Sequence, residues 1–411
     1  MLFVNDNYYT VNDLETQYAI FEQIPQIRDC ENSRLAVCMS DVFQMLALCL
    51  YIRRKGGSIF PIHPSTPREG AVRMASAASS HLLFYQSLNT ETVLSNHSND
   101  SEGGLVQMSS GTTGAPKCIE RSWESVDEEI EGYVATLPVD HLTKSIIACP
   151  VTHSYGLISG VLACLKRGAE PVILTNINPK YVLKKVKEYP SHLLYAAPTL
   201  LYTLYRLRGA DEECFDCVMT SGAVMPSNWL ASLREVSRLV LQQYGCSEVG
   251  CIAINPNLQD SREMGYPLPH LKVDAGVVNN PGEVIIHTST KSIYTKDLGY
   301  INNGVLSLLS RMDDTINVAG LNVYPQEVED VLMSESRITE AVVYKKQNKL
   351  SGERVCVQFV STEPINGIEL RVWCCKFLAP HQIPVEFTRV DEIEKLPNGK
   401  ISRKKLGEAL V

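Results

Sequence analysis

The sequence contains no apolar stretch long enough to cross a membrane. The apolar run Met45–Ile52 is far shorter than the roughly 20 residues that a transmembrane helix needs. The first residues, Met1–Asp6, contain no basic residue and reach an acidic one early, which is not the pattern of a secretory signal peptide. We therefore do not expect a membrane among the partners of this protein.

An excess of basic charge is also missing. The 38 Lys and Arg residues are outnumbered by 46 Asp and Glu residues, which gives a formal net charge of −8. Proteins that bind nucleic acids normally carry a basic face. The charge balance therefore argues against a nucleic acid as the main partner.

Cysteines are present but show no framework of pairs. There are 13, an odd number, scattered along the chain. This usage is typical of reduced thiols, and it predicts a cytoplasmic protein. Cys214 and Cys217 form a lone C-x-x-C motif with no second pair nearby. Buried unpaired thiols are the simpler interpretation of this motif, and a metal or redox role stays open.

Length and periodicity indicate the fold class. A chain of 411 residues is too long for one simple core, so we expect two or more domains. Val11–Ile20 and Val42–Arg54 have helical spacing of apolar residues, and the strand-like segment Arg34–Met39 lies between them. A turn then leads into another short strand at Ser58–Pro61. Strands and helices in alternation predict a mostly parallel α/β sheet.

The stretch with the clearest chemistry is Met108–Lys117, which combines hydroxyl side chains, glycines and a lysine. Glycine lets backbone N–H groups approach a ligand, and successive N–H groups with hydroxyls form a concavity for anions. By composition alone a solvated turn is the simpler interpretation. A Walker A loop is excluded, because Ala115 and Pro116 separate Gly114 from Lys117 and no Ser or Thr follows the lysine. The candidate phosphate-binding residues are Ser109, Ser110, Gly111, Thr112, Thr113, Gly114 and Lys117.

This stretch resembles the signature loop S-S/T-G-T-T-G-x-P-K of the adenylate-forming enzymes. The superfamily comprises acyl- and aryl-CoA synthetases, luciferases and the adenylation domains of peptide synthetases. Cys118 stands where the family usually has glycine. The resemblance implies that the loop holds the phosphates of ATP.

Further motifs of the same family follow in the family's order. Ser221-Gly222-Ala223 resembles the S-G-G/A segment that lets backbone approach the nucleotide and the acyl group. The segment Tyr244–Glu248 is similar to Y-G-x-T-E. This resemblance implies that Tyr244 stacks on adenine, that Gly245 and Ser247 lie at the nucleotide, and that Glu248 helps to hold Mg²⁺.

The last motifs imply the domain organisation. The family's T-G-D appears as Thr295-Lys296-Asp297, whose aspartate would accept hydrogen bonds from the ribose, and Arg311, in a separate motif, would also reach the ribose or phosphate. Asp313 falls at the family's hinge, and Lys400 matches its catalytic lysine. The resemblance implies an N-terminal core of α/β sheets plus a small β-barrel over residues 1–312. A small mobile α+β domain would follow over 313–411.

The acid pocket is implied by the segment His153-Ser154-Tyr155-Gly156, which is similar to the family's H-x-Y segment. Peptide-synthetase domains for α-amino acids place an aspartate nearby, whereas this chain has no acidic residue between Pro150 and Lys166. We therefore expect an acid without an α-amine, contacted by His153, Ser154, Ser221 and Gly222, with His153 also a candidate catalytic residue. Ser154 stands where many enzymes for 2-hydroxylated benzoates carry an asparagine that binds the 2-hydroxyl.

With Ser154 at this position and a compact length, the chain resembles the stand-alone ligases that activate 3,4-dihydroxybenzoate for petrobactin siderophore assembly. This resemblance implies that the acid is joined to AMP, with pyrophosphate released, and then passed to the phosphopantetheine thiol of an aryl carrier protein. An aryl- or fatty-acyl-CoA synthetase is the alternative within enzymes. A non-catalytic nucleotide sensor is an alternative of another class, but it would not need Lys400, Glu248 and Asp297 together.

Overall fold

The computed structural model describes residues 1–89, 91–94, 102–109, 117–209, 215–318, 321–348, 352–396 and 401–408. The chain divides into two compact units. The first comprises Met1–Ser221, Val236–Asn257 and Leu268–His270, and the second comprises Gly222–Glu235, Leu258–Pro267 and Leu271–Val411. Among the helices of the described ranges, none combines the length and the apolar character that a membrane crossing requires. The boundary expected between residues 312 and 313 stays a prediction.

The strands are short and occur throughout the chain. Up to residue 147 they are β1 (Leu2–Val4), β2 (Asn7–Tyr9), β3 (Arg34–Cys38), β4 (Ser58–Pro61), β5 (Leu82–Tyr85), β6 (Glu91–Val93), β7 (Gly104–Ser109), β8 (Lys117–Ser122) and β9 (Lys144–Ile147). The next are β10 (Val172–Ile173), β11 (His192–Ala196), β12 (Phe215–Thr220), β13 (Ser237–Cys246), β14 (Gly250–Asn255), β15 (Glu263–Pro267), β16 (Lys272–Asp274) and β17 (Gly282–His287). The last are β18 (Ser292–Asn302), β19 (Val305–Arg311), β20 (Ile316–Val318), β21 (Leu321–Val323), β22 (Ile338–Asn348), β23 (Gly352–Ser361) and β24 (Glu386–Arg389).

Helices separate most of these strands. In the first half of the chain they are α1 (Val11–Phe21), α2 (Pro25–Arg28), α3 (Val42–Lys55), α4 (Arg68–Ala77), α5 (Trp123–Thr136), a π-helix (Tyr155–Leu162) and α6 (Ala163–Lys166). In the second half they are α7 (Pro179–Glu188), α8 (Pro198–Leu207), α9 (Ser227–Glu235), α10 (Pro325–Met333), α11 (Gly367–Cys374) and α12 (Arg403–Glu408).

Two sheets form the frame of the first unit. One has the strand order β6-β5-β3-β4-β7-β8, in which β3 is parallel to β4 and β5, and β4 is parallel to β7. The other includes the order β14-β13-β12-β11-β9-β10-β1-β2. Its strands from β13 to β1 are parallel to their neighbours, and only the pairs at its two ends are antiparallel. The predicted mostly parallel α/β sheet is confirmed.

The segment from β3 to β4 illustrates how the sequence produces this frame. Every residue of β3 is buried, as expected for a strand covered on both faces. Helix α3 then begins after Asp41, whose carboxylate accepts a hydrogen bond from the Gln44 amide at 2.9 Å. The helix ends at Gly56, whose φ of 77° is the left-handed conformation that glycine adopts without steric cost. Three basic residues, Arg53–Lys55, occupy the last turn, where positive charge favours the helix dipole.

The second unit contains antiparallel strands and a small α+β part. Strands β16-β17-β18-β19-β15 run in this order with antiparallel neighbours. The order is open, and the small barrel that the resemblance implied for this region is not confirmed. The C-terminal part contains the sheet β21-β20-β23-β22, with β24 parallel to β23. The expected fold class, α/β sheets with a small C-terminal α+β part, is confirmed.

The helix cap at Asp41 can be tested by substitution. Asp41→Ala removes the acceptor of the Gln44 amide and should lower the free energy of unfolding by about 1 kcal/mol. Asp41→Asn keeps an acceptor oxygen and should cost less. Urea denaturation followed by circular dichroism measures both, and equal midpoints for the wild-type and Asp41→Ala proteins would contradict the capping role.

Candidate active site

The two ends of the candidate phosphate loop are held together by strand pairing. Strands β7 and β8 form an antiparallel pair in which Ser109 lies opposite Lys117 and Met108 lies opposite Cys118. The loop residues Ser110, Gly111, Thr112, Thr113 and Gly114 lie outside the described residues. The pairing therefore fixes where the loop begins and ends.

Polar contacts attach this strand pair to the interior of its sheet. On β8, Glu120 forms an ion pair with Arg34 of β3. The same carboxylate accepts a hydrogen bond from the Ser58 hydroxyl of β4 at 3.0 Å, and the Ser58 oxygen in turn accepts one from the Gly104 amide at 3.2 Å. The strands that flank the loop are thus fixed by side chains outside the loop.

The expected acid-pocket segment lies at the start of the π-helix. His153 is exposed, whereas Ser154 and Tyr155 are partly buried. The backbone at Gly156 is packed so closely that a Cβ would lie 2.4 Å from the Pro150 carbonyl oxygen. π-Helical turns are rare and often occur at functional sites. The close approach explains why a glycine follows Tyr155.

Ser154 and Tyr155 are both engaged by neighbouring strands. The Ser154 hydroxyl donates a hydrogen bond to Oε1 of Gln107, a buried side chain on β7. The Tyr155 hydroxyl donates to the Met219 carbonyl oxygen at 2.6 Å, and burial raises the pKa of Tyr155 well above its usual value. The structure therefore connects the expected acid pocket with the strand that enters the phosphate loop. We did not identify Gln107 from the sequence, although it is a polar residue within the apolar run of β7.

A buried polar network supports the strand before Tyr244. Gln243 accepts a hydrogen bond from the Tyr133 hydroxyl at 2.8 Å and donates one to the Ser159 hydroxyl at 3.2 Å. Its backbone oxygen accepts one from the Ser221 hydroxyl at 3.2 Å. Ser221 is thereby fixed against β13, which also carries Tyr244.

Glu248 lies in the turn between β13 and β14. In this hairpin Gly245 lies opposite Cys251, and a Cβ on Gly245 would be 2.3 Å from the Gly250 carbonyl oxygen. Tyr244 is buried, whereas Ser247 and Glu248 are partly exposed. Burial, assisted by the charge of Glu248, raises the pKa of Cys246 to about 12, so this thiol is neutral at physiological pH.

In the second unit, the two expected ribose-binding residues form a pair. Asp297 on β18 lies opposite Arg311 on β19, and Nη1 of Arg311 is 3.0 Å from Oδ1 of Asp297. The Asp297 amide donates to the Thr295 hydroxyl at 3.1 Å. Lys296 has a φ of 61°, which explains why the family's motif has glycine at this position. Gly222 also has a positive φ, 89°, and Ala223 beside it is exposed.

Lys400 lies outside the described residues, and Arg403, three positions after it, makes several polar contacts. Arg403 contacts both carboxylate oxygens of Glu329, at 2.9 and 3.0 Å, and donates from Nε to the Val343 carbonyl oxygen at 3.0 Å. It also lies 3.4 Å from Asp314, which follows the expected hinge residue Asp313. Asp313 itself lies 3.7 Å from Lys296.

The cysteines of the described ranges are all free thiols. Cys217 is buried, and this burial raises its pKa to about 11. Its sulfur accepts a hydrogen bond from Arg238 at 2.8 Å. Cys214, the other half of the C-x-x-C motif, lies outside the described residues.

Comparison with known proteins agrees with these motifs. The sequence model of the AMP-binding enzyme family matches residues 104–291, and that of the AMP-binding enzyme C-terminal domain matches residues 327–400. The chain is 38% identical over 409 residues to a 3,4-dihydroxybenzoate–[aryl-carrier protein] ligase of Bacillus anthracis, covering 99% of this chain and 98% of that protein. This chain belongs to the AMP-binding enzyme family. The resemblance to adenylate-forming enzymes is thereby confirmed.

Further relatives and solved structures resemble this chain at lower sequence identity. A 2-succinylbenzoate–CoA ligase of Bacillus subtilis is 27% identical over 74% of this chain and 68% of that protein. Among solved structures, the amide bond synthetase McbA of Marinactinospora thermotolerans superimposes with a TM-score of 0.85 at 21% identity, covering 100% of this chain and 97% of that one. The o-succinylbenzoate CoA synthetase of Bacillus subtilis gives 0.85 at 21% identity, covering 98% and 94%.

The side chains around the expected nucleotide site suit Mg²⁺ only if water and the nucleotide phosphates supply its other ligands. Among the described residues, no group of three or more His, Cys, Asp or Glu side chains could hold a metal ion. A lone carboxylate such as Glu248 suits a hard cation that takes its other oxygen ligands from water and substrate phosphates. The donor set therefore fits Mg²⁺ bound together with a nucleotide, as is general in this kind of site.

The tight packing at Gly156 provides a test of the acid-pocket geometry. Gly156→Ala should cost about 1–3 kcal/mol, because the added methyl group overlaps a backbone oxygen. In the matched control Gly70→Ala, the Cβ would lie 3.3 Å from the Thr66 methyl group and 4.0 Å from Cδ of Pro67, within a helix that favours alanine. Thermal unfolding measures both variants, and equal melting temperatures for the two would contradict the close approach.

Proposed function

We propose that this enzyme activates an aryl carboxylic acid with ATP and then transfers the aryl group to the phosphopantetheine thiol of an aryl carrier protein. The identity of 38% across nearly the full length of both chains to a 3,4-dihydroxybenzoate–[aryl-carrier protein] ligase carries this proposal. The segment Pro150–Lys166, which has no acidic residue to pair with an α-amine, agrees with it. We further propose a cytoplasmic location and a role in petrobactin siderophore assembly.

The reaction has two steps. A carboxylate oxygen of the acid attacks the α-phosphorus of ATP, and the bond to pyrophosphate breaks. A thiolate then attacks the carbonyl carbon of the acyl-adenylate, and AMP leaves. Because the first step brings two anions together, catalysis depends mainly on positioning and on neutralising charge.

The residues of this chain would divide these tasks. The phosphates would be bound by Lys117 and the loop 109–114, and Glu248 would hold Mg²⁺, which when bound neutralises phosphate charge. Lys400 would donate to the reacting groups during the first step only. Asp297 would accept hydrogen bonds from the ribose, with Arg311 fixing its carboxylate, and Tyr244 would stack on adenine. Rotation about Asp313 would then remove Lys400 and admit the thiol.

Ser154 supports an acid hydroxylated away from the 2-position. Its hydroxyl proton is already donated to Gln107. A 2-hydroxyl next to this short side chain would lose water and gain at best a strained hydrogen bond. An unsatisfied buried polar group costs about 1–3 kcal/mol. We therefore propose 3,4-dihydroxybenzoate as the acid.

The substrate preference is measured by ATP–pyrophosphate exchange. We expect kcat/KM for 3,4-dihydroxybenzoate to exceed that for 2,3-dihydroxybenzoate about ten- to a hundredfold. Ser154→Asn should narrow this gap by adding an amide, whereas the control Ser154→Ala should not. Faster exchange with 2,3-dihydroxybenzoate, octanoate or an amino acid would refute the proposed acid and leave the adenylation chemistry standing.

The role of Lys400 is tested by separating the two steps. Lys400→Ala should lower acyl-adenylate formation by orders of magnitude while thiol loading from preformed acyl-adenylate remains. The control is Lys404→Ala, which removes an exposed basic side chain nearby and should leave both steps unchanged. Equal loss of both steps in Lys400→Ala would remove this assignment.

Free CoA is a second candidate acceptor, because relatives of this chain include 2-succinylbenzoate–CoA ligases. Incubation of the enzyme with ATP, acid and either CoA or a phosphopantetheinylated aryl carrier protein distinguishes the two. Intact-mass analysis should show the carrier protein loaded. Preferential formation of aryl-CoA would replace the carrier protein in the proposal.

A further inference from the structure

A buried ion pair in the first unit has no part in the proposed chemistry. Arg121 on β8 and Glu129 on α5 are 2.5 Å apart, from Nη1 to Oε2, and their side chains are 3% and 1% exposed. The Arg121 guanidinium also donates to the Ser125 carbonyl oxygen at 3.0 Å. The second carboxylate oxygen of Glu129 accepts a hydrogen bond from the backbone amide of Cys251 at 2.7 Å. The pair therefore joins strand β8, helix α5 and the start of strand β14.

The segments that it joins belong to the proposed site. Strand β8, which carries Arg121, begins at Lys117, the last residue of the phosphate-loop motif. Cys251 is the second residue of β14, which begins at Gly250 immediately after the turn that contains Glu248. The pair thus connects the phosphate loop's returning strand with the turn proposed to hold Mg²⁺.

The backbone at Gly250, where β14 begins directly after that turn, is packed against the two charges. Gly250 has a φ of 79°, and a Cβ there would lie 2.1 Å from Oε2 of Glu129 and 2.3 Å from Nη1 of Arg121. A side chain larger than a hydrogen atom at position 250 would overlap the ion pair. The position of Gly250 is therefore set by the ion pair on one side and by the hairpin on the other.

Stability alone does not require charges at this place. Removing two charges from water is costly, and apolar replacements of buried ion pairs are often neutral or stabilising. An apolar pair, however, has no acceptor for the Cys251 amide and cannot direct the turn. What the pair provides beyond apolar packing is a defined position for the backbone at Cys251.

We propose that Arg121 and Glu129 are positioning residues, which fix the turn of residues 247–249, and with it Glu248, relative to the phosphate-loop strand. This inference rests on the proposed function only for the role of Glu248. Removal of the hydrogen-bonded groups that orient metal ligands commonly lowers metal affinity or activity about ten- to a hundredfold.

Two double variants separate positioning from stability. Arg121→Met with Glu129→Leu removes both charges and the acceptor of the Cys251 amide. Arg121→Met with Glu129→Gln also removes both charges but keeps an acceptor oxygen. The first variant should fold with a melting temperature close to that of the wild type. The second variant should not be more stable than the first, because its glutamine side-chain amide is also buried.

Hydrogen–deuterium exchange of the ligand-free proteins is the first measurement. Exchange in peptides covering residues 246–251 should become faster in the Leu variant and stay near the wild-type rate in the Gln variant. The second measurement is the Mg²⁺ concentration that gives half-maximal ATP–pyrophosphate exchange. It should rise about tenfold in the Leu variant and recover in the Gln variant, with the KM of the acid unchanged.

Each outcome decides the matter. Unchanged deuterium exchange and Mg²⁺ requirement in the Leu variant would overturn the proposal and make the pair structural only. If the double variants do not fold, Glu129→Asp is the fallback, because it keeps the charge pair and withdraws the carboxylate from Cys251. This variant should show the same faster deuterium exchange, and an unchanged exchange rate would overturn the proposal. If the wild type activates no acid, the proposed function fails, and deuterium exchange together with calorimetric binding of Mg-ATP still decides the positioning role.

Discussion

The antiparallel pairing of β7 with β8 is the constraint on which the rest of the candidate site depends. The pairing places Ser109 opposite Lys117, and three polar side chains on these strands reach in different directions. Gln107 accepts a hydrogen bond from Ser154, and Glu120 forms an ion pair with Arg34 of β3. Arg121 is linked through Glu129 to the backbone that follows the turn of Glu248. One strand pair thereby relates the phosphate loop, the acid pocket and the expected metal ligand to one another.

Such polar contacts within an apolar framework are costly unless they are satisfied. In this chain Gln243 binds both Tyr133 and Ser159, and the Glu129 carboxylate has partners for both oxygens. A satisfied buried network permits few alternative arrangements, because any displacement leaves a donor or acceptor unpaired. The first unit thus combines apolar strands, which provide stability, with a few polar contacts, which define geometry.

The sequence predicted the parts of the fold and site that depend on local patterns. Buried strands alternating with helices predicted the parallel sheet, and Asp297 with Arg311, chosen from separate motifs, form a cross-strand pair. The departure at Lys296 also has a structural meaning, since its positive φ is the conformation for which the motif uses glycine. Gln107, Arg121 and Glu129 were not identified; only Gln107 has a local signal, as a polar residue within an apolar strand.

The sequence by itself determined which chemical groups this protein presents: a hydroxyl- and glycine-rich loop, a carboxylate after a strand, and a segment without acidic residues where the acid pocket is expected. Local spacing suffices for these because their function resides in a few consecutive residues. Tertiary structure alone decided how they are held. Ser154 meets Gln107 across 47 residues, and Glu129 meets Cys251 across 122 residues, so their contacts exist only once the sheets have formed. The burial that makes these hydrogen bonds and ion pairs specific is a property of the packed chain, and no single stretch of sequence contains it.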